Sequence, residues 1–245
     1  MKLPDQRVLV TGATAGIGQE TAKLFARRGA SVVITGRDTG RGAQTVAAIE
    51  AEGGRAEFIA ADLNDIKSVR RLAEQADEVD VLINNAAATR TPFAPTLEQN
   101  VESFDTIFDV NVRAPFFLTA ALLPKMIARG SGAIVNISTM YASVGVANAP
   151  VVAAAKAALE SFTRSWAAAL GANGIRVNTV APGPTRTDGA VGALGDWLEQ
   201  LGSATPLGRT ADPSEIAEAI VFLASPQASY LTGATVLVDG GFTAI

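Results

Sequence analysis

Short runs of β-branched and aliphatic residues recur along the chain: Val8-Leu9-Val10, Val32-Val33-Ile34, Phe58-Ile59-Ala60, Val81-Leu82-Ile83, Ile134-Val135-Asn136-Ile137, Val177-Asn178-Thr179-Val180 and Val236-Leu237-Val238. Each is close to continuously apolar, the pattern of a strand buried on both faces. Between them, apolar positions return with helical period over residues 20–28, 42–52, 65–76, 101–129, 156–170 and 213–223. Regular alternation of this kind predicts an α/β fold, a doubly wound seven-stranded parallel sheet with helices on both faces. No linker or shift of composition interrupts the series, so residues 1–245 read as a single domain. The segment hardest to place is about 184–206, rich in Gly, Thr and Pro around a short helical pattern at 194–201. It directly follows a strand, and loops past the carboxyl ends of strands border the ligand crevice in such sheets. The segment is therefore either a substrate lid or an ordinary surface loop.

Composition narrows the chemistry more than the fold. At 245 residues and 48% hydrophobic, the chain can bury a large core. It has no cysteine and no histidine, which excludes disulfides, thiolate nucleophiles, Cys/His zinc sites, Ser-His-Asp triads and imidazole bases; no metal site is predicted. The formal net charge of −4 comes with no block of like charge, so a nucleic-acid partner is not expected. The start has no apolar leader pattern, and no uninterrupted apolar run reaches the roughly 18 residues of a membrane span. A soluble, cytoplasmic protein with no membrane partner is expected. Chemistry must then rest on hydroxyls, carboxylates, lysine, a bound cofactor or one of two tyrosines, Tyr141 and Tyr230.

The sharpest motif is Thr11-Gly12-Ala13-Thr14-Ala15-Gly16-Ile17-Gly18, which follows the first predicted strand and opens the first helix. Glycines here let the backbone turn tightly and approach a phosphate, which the free amides and dipole of the helix N-terminus stabilise. The spacing resembles the Thr-Gly-x-x-x-Gly-x-Gly motif of the short-chain dehydrogenase/reductase family. Further matches follow in the family's order: Asp62-Leu63, Asn84-Asn85-Ala86-Ala87, Asn111-Val112, Pro182-Gly183 and Thr232-Gly233 through Asp239-Gly240-Gly241. The resemblance spans essentially the whole chain. It implies a Rossmann-like dinucleotide fold, a nicotinamide cofactor, a small carbonyl or alcohol substrate, and a homotetramer or homodimer.

Site residues follow from that resemblance. Gly12, Thr14, Gly16, Ile17 and Gly18 would cradle the phosphates, Asp62 and Leu63 would contact the adenine, and Asn85 and Ala86 would also bind the cofactor. Pro182, Gly183, Thr185 and Thr187 would hold the carboxamide and phosphates, the two threonines as donors. At the end of the second strand, an acid would bind a ribose 2′-hydroxyl and an arginine a 2′-phosphate. The chain has Gly36-Arg37-Asp38, so Arg37 favours NADP(H) over NAD(H), unless Arg37 is simply solvated and Asp38 caps the next helix.

Hydride transfer to a carbonyl needs a proton delivered to the oxygen. The family uses a tyrosine, a lysine four residues later, a serine or threonine thirteen residues before the tyrosine, and an asparagine. In this chain the lysine is Lys156, which would also hold the nicotinamide ribose, the hydroxyl residue is Thr139 with Ser138 close behind, and the asparagine is Asn111. The tyrosine position is Val152. Three readings follow: an NADP(H) oxidoreductase whose acid comes from elsewhere, with Tyr141 as nearest candidate or merely a pocket wall; a relative turned to isomerase, cyclase or cofactor-binding work; or an ordinary reductase inactivated by substitution at 152. Thr89, Arg90, Tyr141, Val151 and residues 187–201 are expected to line the substrate crevice.

Overall fold

Seven parallel strands in the order β3-β2-β1-β4-β5-β6-β7 form the backbone of the structure, a computed structural model that describes residues 3, 6–88 and 94–245. In chain order the elements are β1 (Arg7–Thr11), α1 (Gly16–Arg27), β2 (Ser31–Gly36), α2 (Thr39–Ala51), β3 (Arg55–Ala60), α3 (Ile66–Ala76), β4 (Val81–Asn84), α4 (Val101–Phe108), α5 (Ala114–Arg129), β5 (Gly132–Ile137), α6 (Pro150–Leu170), β6 (Ile175–Pro182), α7 (Asp188–Leu194), α8 (Asp196–Ser203), α9 (Pro213–Ala224) and β7 (Thr235–Val238). All seven apolar runs are strands of this sheet.

The strand period of two divides each run between two cores. Val8, Val10, Val32, Ile34, Val81, Ile83 and Val135 face one layer, closed by Phe25 of α1, Ile49 of α2 and Ile220 of α9. Leu9, Val33, Leu82 and Ile134 face the other, closed by Leu72 of α3, Leu118 of α5 and Leu170 of α6. Continuous hydrophobicity in the sequence is thus the sum of two alternating faces.

The helical pattern over 101–129 is one rod by periodicity, but the structure breaks it into α4, a π turn at Asp109–Arg113, and α5. The cause lies at Asn111, whose side-chain Nδ2 donates to the Ile107 carbonyl at 2.8 Å. An amide that captures the i−4 carbonyl competes with the backbone N–H that would use it in an α-helix, and the turn widens. The Val101–Arg129 stretch is long and apolar enough to cross a membrane by length and composition. In this fold it covers the sheet instead, with Leu118, Leu122 and Met126 buried in the second core.

The 184–206 segment contains two helices, α7 and α8, where the pattern suggested one. They divide at Gly195, whose φ of 52° is a turn glycine permits at little cost.

The sheet also fixes α6 in place through buried polar links. Asn84 Nδ2 donates to Asn136 Oδ1 at 2.9 Å, Asn136 Nδ2 donates to Thr163 Oγ1 at 2.7 Å, and Thr163 Oγ1 meets Thr179 Oγ1 at 2.7 Å. β4, β5, α6 and β6 are joined in one chain of hydrogen bonds. Its geometric demands permit little sliding of α6, which matters because α6 carries Val152 and Lys156.

Candidate active site

The strand order reverses between β1 and β4, and a cavity of about 540 Å³ opens there, past the carboxyl ends of the strands. This is where an open α/β sheet has room for a ligand. Thr11 ties the two strand ends together, its Oγ1 accepting from the backbone amides of Asn85 and Ala86, each at 3.0 Å. Asn85 returns the link, donating from Nδ2 to the Thr11 carbonyl at 2.8 Å. The turn between β1 and α1 is correspondingly tight. Gly12 has φ 66°, and a Cβ there would lie 2.8 Å from the Ala86 Cα; a Cβ at Gly18 would lie 2.5 Å from the Gly12 carbonyl oxygen. These glycines are needed by chain-to-chain contact as much as by any ligand.

α1 begins without a side-chain cap, its N-cap being Ala15, whereas Asp38, Asp65 and Asn100 cap α2, α3 and α4. The first-turn amides of α1 are therefore unanswered by side chains and point to the glycine loop, as an anion site requires. Thr14, Gly16, Ile17, Arg37, Asp62 and Leu63 line the same end of the cavity. Asp38 does cap α2, accepting from the Arg41 amide at 3.0 Å, while Arg37 is a separate exposed wall residue. Backbone and side-chain bonds from Arg41 hold the Asp38 carboxyl below its ordinary range. Arg41 also lines the cavity, and its position four residues after Arg37 was the available signal for it. Asp62 does not start α3, which Asp65 caps. Its Oδ1 instead accepts from the Asn64 amide at 3.0 Å, closing a turn at the cavity wall.

The other end lies under β5 and β6. Thr139 lines the cavity, its Oγ1 accepting from the Tyr141 amide at 3.4 Å. Ser138 is different: its Oγ donates to Glu160 Oε1 at 2.6 Å in a buried pair. Ser138 lines the cavity beside Thr139, with its hydroxyl hydrogen directed to Glu160. Glu160, one helical turn past Lys156, was missed from the sequence; the i+4 spacing was its only signal.

Lys156 is 5% exposed and donates to the Ile137 carbonyl at 2.7 Å. Among the described residues no carboxylate pairs with it, and burial pulls its amine from an ordinary 10.5 down to about 8. Asn111 is 2% exposed, lines the cavity and leaves Oδ1 buried without a partner among the described residues. Val152, one turn before Lys156 on α6, also lines the cavity. Tyr141 is a half-buried wall residue, and burial raises its phenol above the ordinary value. Tyr230 is fully exposed.

Pro182, Gly183, Thr185 and Thr187 complete the rim. A Cβ on Gly183 would lie 2.5 Å from the Asp239 Cα. Thr185 Oγ1 donates to the Gly183 carbonyl at 3.0 Å. Thr187 Oγ1 accepts from the Ala190 amide, capping α7, and keeps its own hydrogen available. Ala190, Leu194, Leu198 and Leu201 bring α7 and α8 into the wall, whereas Val151 is absent from the described lining. Thr89 and Arg90 lie outside the described residues.

A family model described as Enoyl-(Acyl carrier protein) reductase matches residues 12–243. The chain is 42% identical to the cis-4-hydroxycyclohexanecarboxylate dehydrogenase of Sinomonas cyclohexanicum, over 97% of this chain and 96% of that protein. Among solved structures, a short chain dehydrogenase/reductase family protein is 53% identical, with a TM-score of 0.94 and full coverage of both chains. A gluconate 5-dehydrogenase from Burkholderia cenocepacia J2315, solved in complex with NADP and tartrate, is 30% identical with a TM-score of 0.92, covering 100% of this chain and 97% of that one.

Proposed function

Since the chain belongs to the short-chain dehydrogenase/reductase family, we propose that it is an NADP(H)-dependent oxidoreductase acting on a small carbonyl or alcohol, slowed by the absence of a tyrosine at position 152. One observation carries this reading: a single cavity joins the uncapped start of α1 and Arg37 at one end to Thr139, Lys156 and Asn111 at the other. The donors fit a dinucleotide. Uncapped amides and glycine surfaces suit phosphates, Arg37 and Arg41 suit an added phosphate on the adenosine ribose, and the unpartnered Asn111 Oδ1 and the remaining N–H groups of Lys156 suit hydroxyls.

When bound, the nicotinamide supplies or accepts the hydride. The chain's own tasks are to orient the carbonyl, which we assign to Thr139, to hold the ribose, which we assign to Lys156, and to exclude water with α7 and α8. Val152 has no proton to give. Tyr141, raised by burial and with no cation beside it among the described residues, is a poor base and a displaced acid. A second reading, a protein that holds the nucleotide and does not consume it, is favoured by Val152 alone.

Two measurements test the assignment. Arg37→Ala should weaken NADPH binding by roughly 10- to 100-fold, the worth of one charge-assisted contact, and leave NADH unchanged. Wild-type protein that binds NADH more tightly than NADPH refutes the cofactor preference. Thr139→Ala should lower turnover by roughly 10²-fold, as loss of one preorganised donor does. Ser138→Ala should instead appear as a stability loss of about 1–3 kcal/mol, because it strands the buried Glu160 carboxylate. The reverse pattern, read from kinetics and thermal melts, exchanges the two roles.

A further inference from the structure

Resting on the oxidoreductase reading, we propose that the substrate carries its carbonyl or hydroxyl on a hydrocarbon ring or short hydrocarbon chain, and not on a polyhydroxylated skeleton. Met140, Val152, Leu194, Leu198 and Leu201 line the cavity together with Thr139. The last three come from α7 and α8, on the two sides of Gly195, and each brings an apolar side chain to the lining. Among the described lining residues outside the glycine loop, the hydroxyls of Thr35, Ser138 and Thr185 are spent on the Ile59 carbonyl, Glu160 and the Gly183 carbonyl, which leaves those of Thr106, Thr139, Tyr141 and Thr187.

Three of the four charged lining groups belong elsewhere. Arg37 and Arg41 follow β2 and Asp62 follows β3, while Thr139 follows β5. β2 and β5 are three strand steps apart in the sheet, about 14 Å at the usual inter-strand spacing. Arg186 is ion-paired with Glu199 at 2.8 Å, and neither lines the cavity. Lys156, which also lines the cavity, spends one N–H on the Ile137 carbonyl.

A sugar acid or cyclitol brings four or five hydroxyl groups, none of which Met140, Val152, Leu194, Leu198 or Leu201 can answer. Each hydroxyl buried without a partner weakens binding by about tenfold. A methylene in the same place gains from Leu194, Leu198 and Leu201 instead. The pocket's chemistry therefore selects against polyols at the reacting end, although a structural neighbour is a gluconate 5-dehydrogenase.

The test uses two ketones with the same ring, cyclohexanone and its pentahydroxy derivative 2-keto-myo-inositol. NADPH binding is measured first. Each ketone is then titrated into the NADPH-saturated protein, followed by fluorescence of Trp197, which adjoins Leu198 on α8, and by saturation-transfer NMR. Cyclohexanone should bind at least about 100-fold more tightly, and Leu198→Asn or Leu201→Asn should cut that ratio below about tenfold. A cyclitol that binds equally or better, or NADPH-loaded protein that binds neither ketone, overturns the substrate assignment alone. Failure to bind NADPH overturns the oxidoreductase reading and the substrate assignment with it.

Discussion

Val152→Tyr should raise the rate of NADPH-dependent carbonyl reduction by about 10²- to 10⁴-fold, the usual worth of a positioned general acid. The geometry for the gain is already in place. Position 152 lies one turn before Lys156 on α6, lines the cavity and is half-buried, so a phenol there extends into open space and not into packed core. Lys156, buried with no carboxylate beside it among the described residues, leaves its charge available to bias a neighbouring phenol toward ionisation. Thr139 stands at the end of the adjoining strand. The gain should appear in kcat, with NADPH affinity changed by less than about threefold, since the phenol acts on charge that develops at the carbonyl. Stopped-flow NADPH oxidation with cyclohexanone measures it. A variant that folds and binds NADPH yet oxidises none of it shows that the site has lost more than its acid, and the nucleotide-holding reading then stands.

That prediction can be written from the sequence because position 152 is fixed by Lys156. Much else was readable for the same reason: short β-branched runs are long enough to be strands and too short to be helices. Leu194, Leu198 and Leu201 were legible as a stripe, though the break at Gly195 was not, because glycine inside a helical pattern does not say which way the chain turns. Asn111 shows the limit most clearly. Its identity marks the family position, but the π turn depends on its amide finding the Ile107 carbonyl, a competition between two hydrogen bonds that periodicity does not register. The count of thirteen residues back from position 152 puts Thr139 ahead of Ser138. The buried Glu160, brought up by α6 from 22 residues away to take the Ser138 hydroxyl hydrogen, is what the sequence did not show.

Lys156→Met should separate stability from function. The ammonium is buried, and its amine titrates at about 8 in the folded protein against an ordinary 10.5. Between those values the unfolded chain binds more protons, so the wild type gains stability as pH rises from about 8 to 10.5. Below 8 it carries the full penalty of a buried cation, about 3 kcal/mol for a displacement of this size. Methionine removes that penalty and fills a similar volume, but it leaves the Ile137 carbonyl without this donor, which returns about 1–3 kcal/mol. At pH 7 the variant, without nucleotide, should therefore match the wild type or exceed it by up to about 2 kcal/mol. The advantage should shrink through pH 8–10.5 and vanish or reverse above it, where the wild-type amine is neutral in both states. Turnover at pH 7 should fall at least 10²-fold, because the cation assigned to the ribose is gone. Urea melts across this range give the difference directly. A variant less stable than wild type at pH 7, with a gap that closes as pH rises, means that the folded protein favours the charged lysine through a partner, and the unpaired cation assigned here is wrong. The predicted sign instead identifies Lys156 as a charge kept in the core at the expense of stability, which is the expected mark of a residue placed for its chemistry.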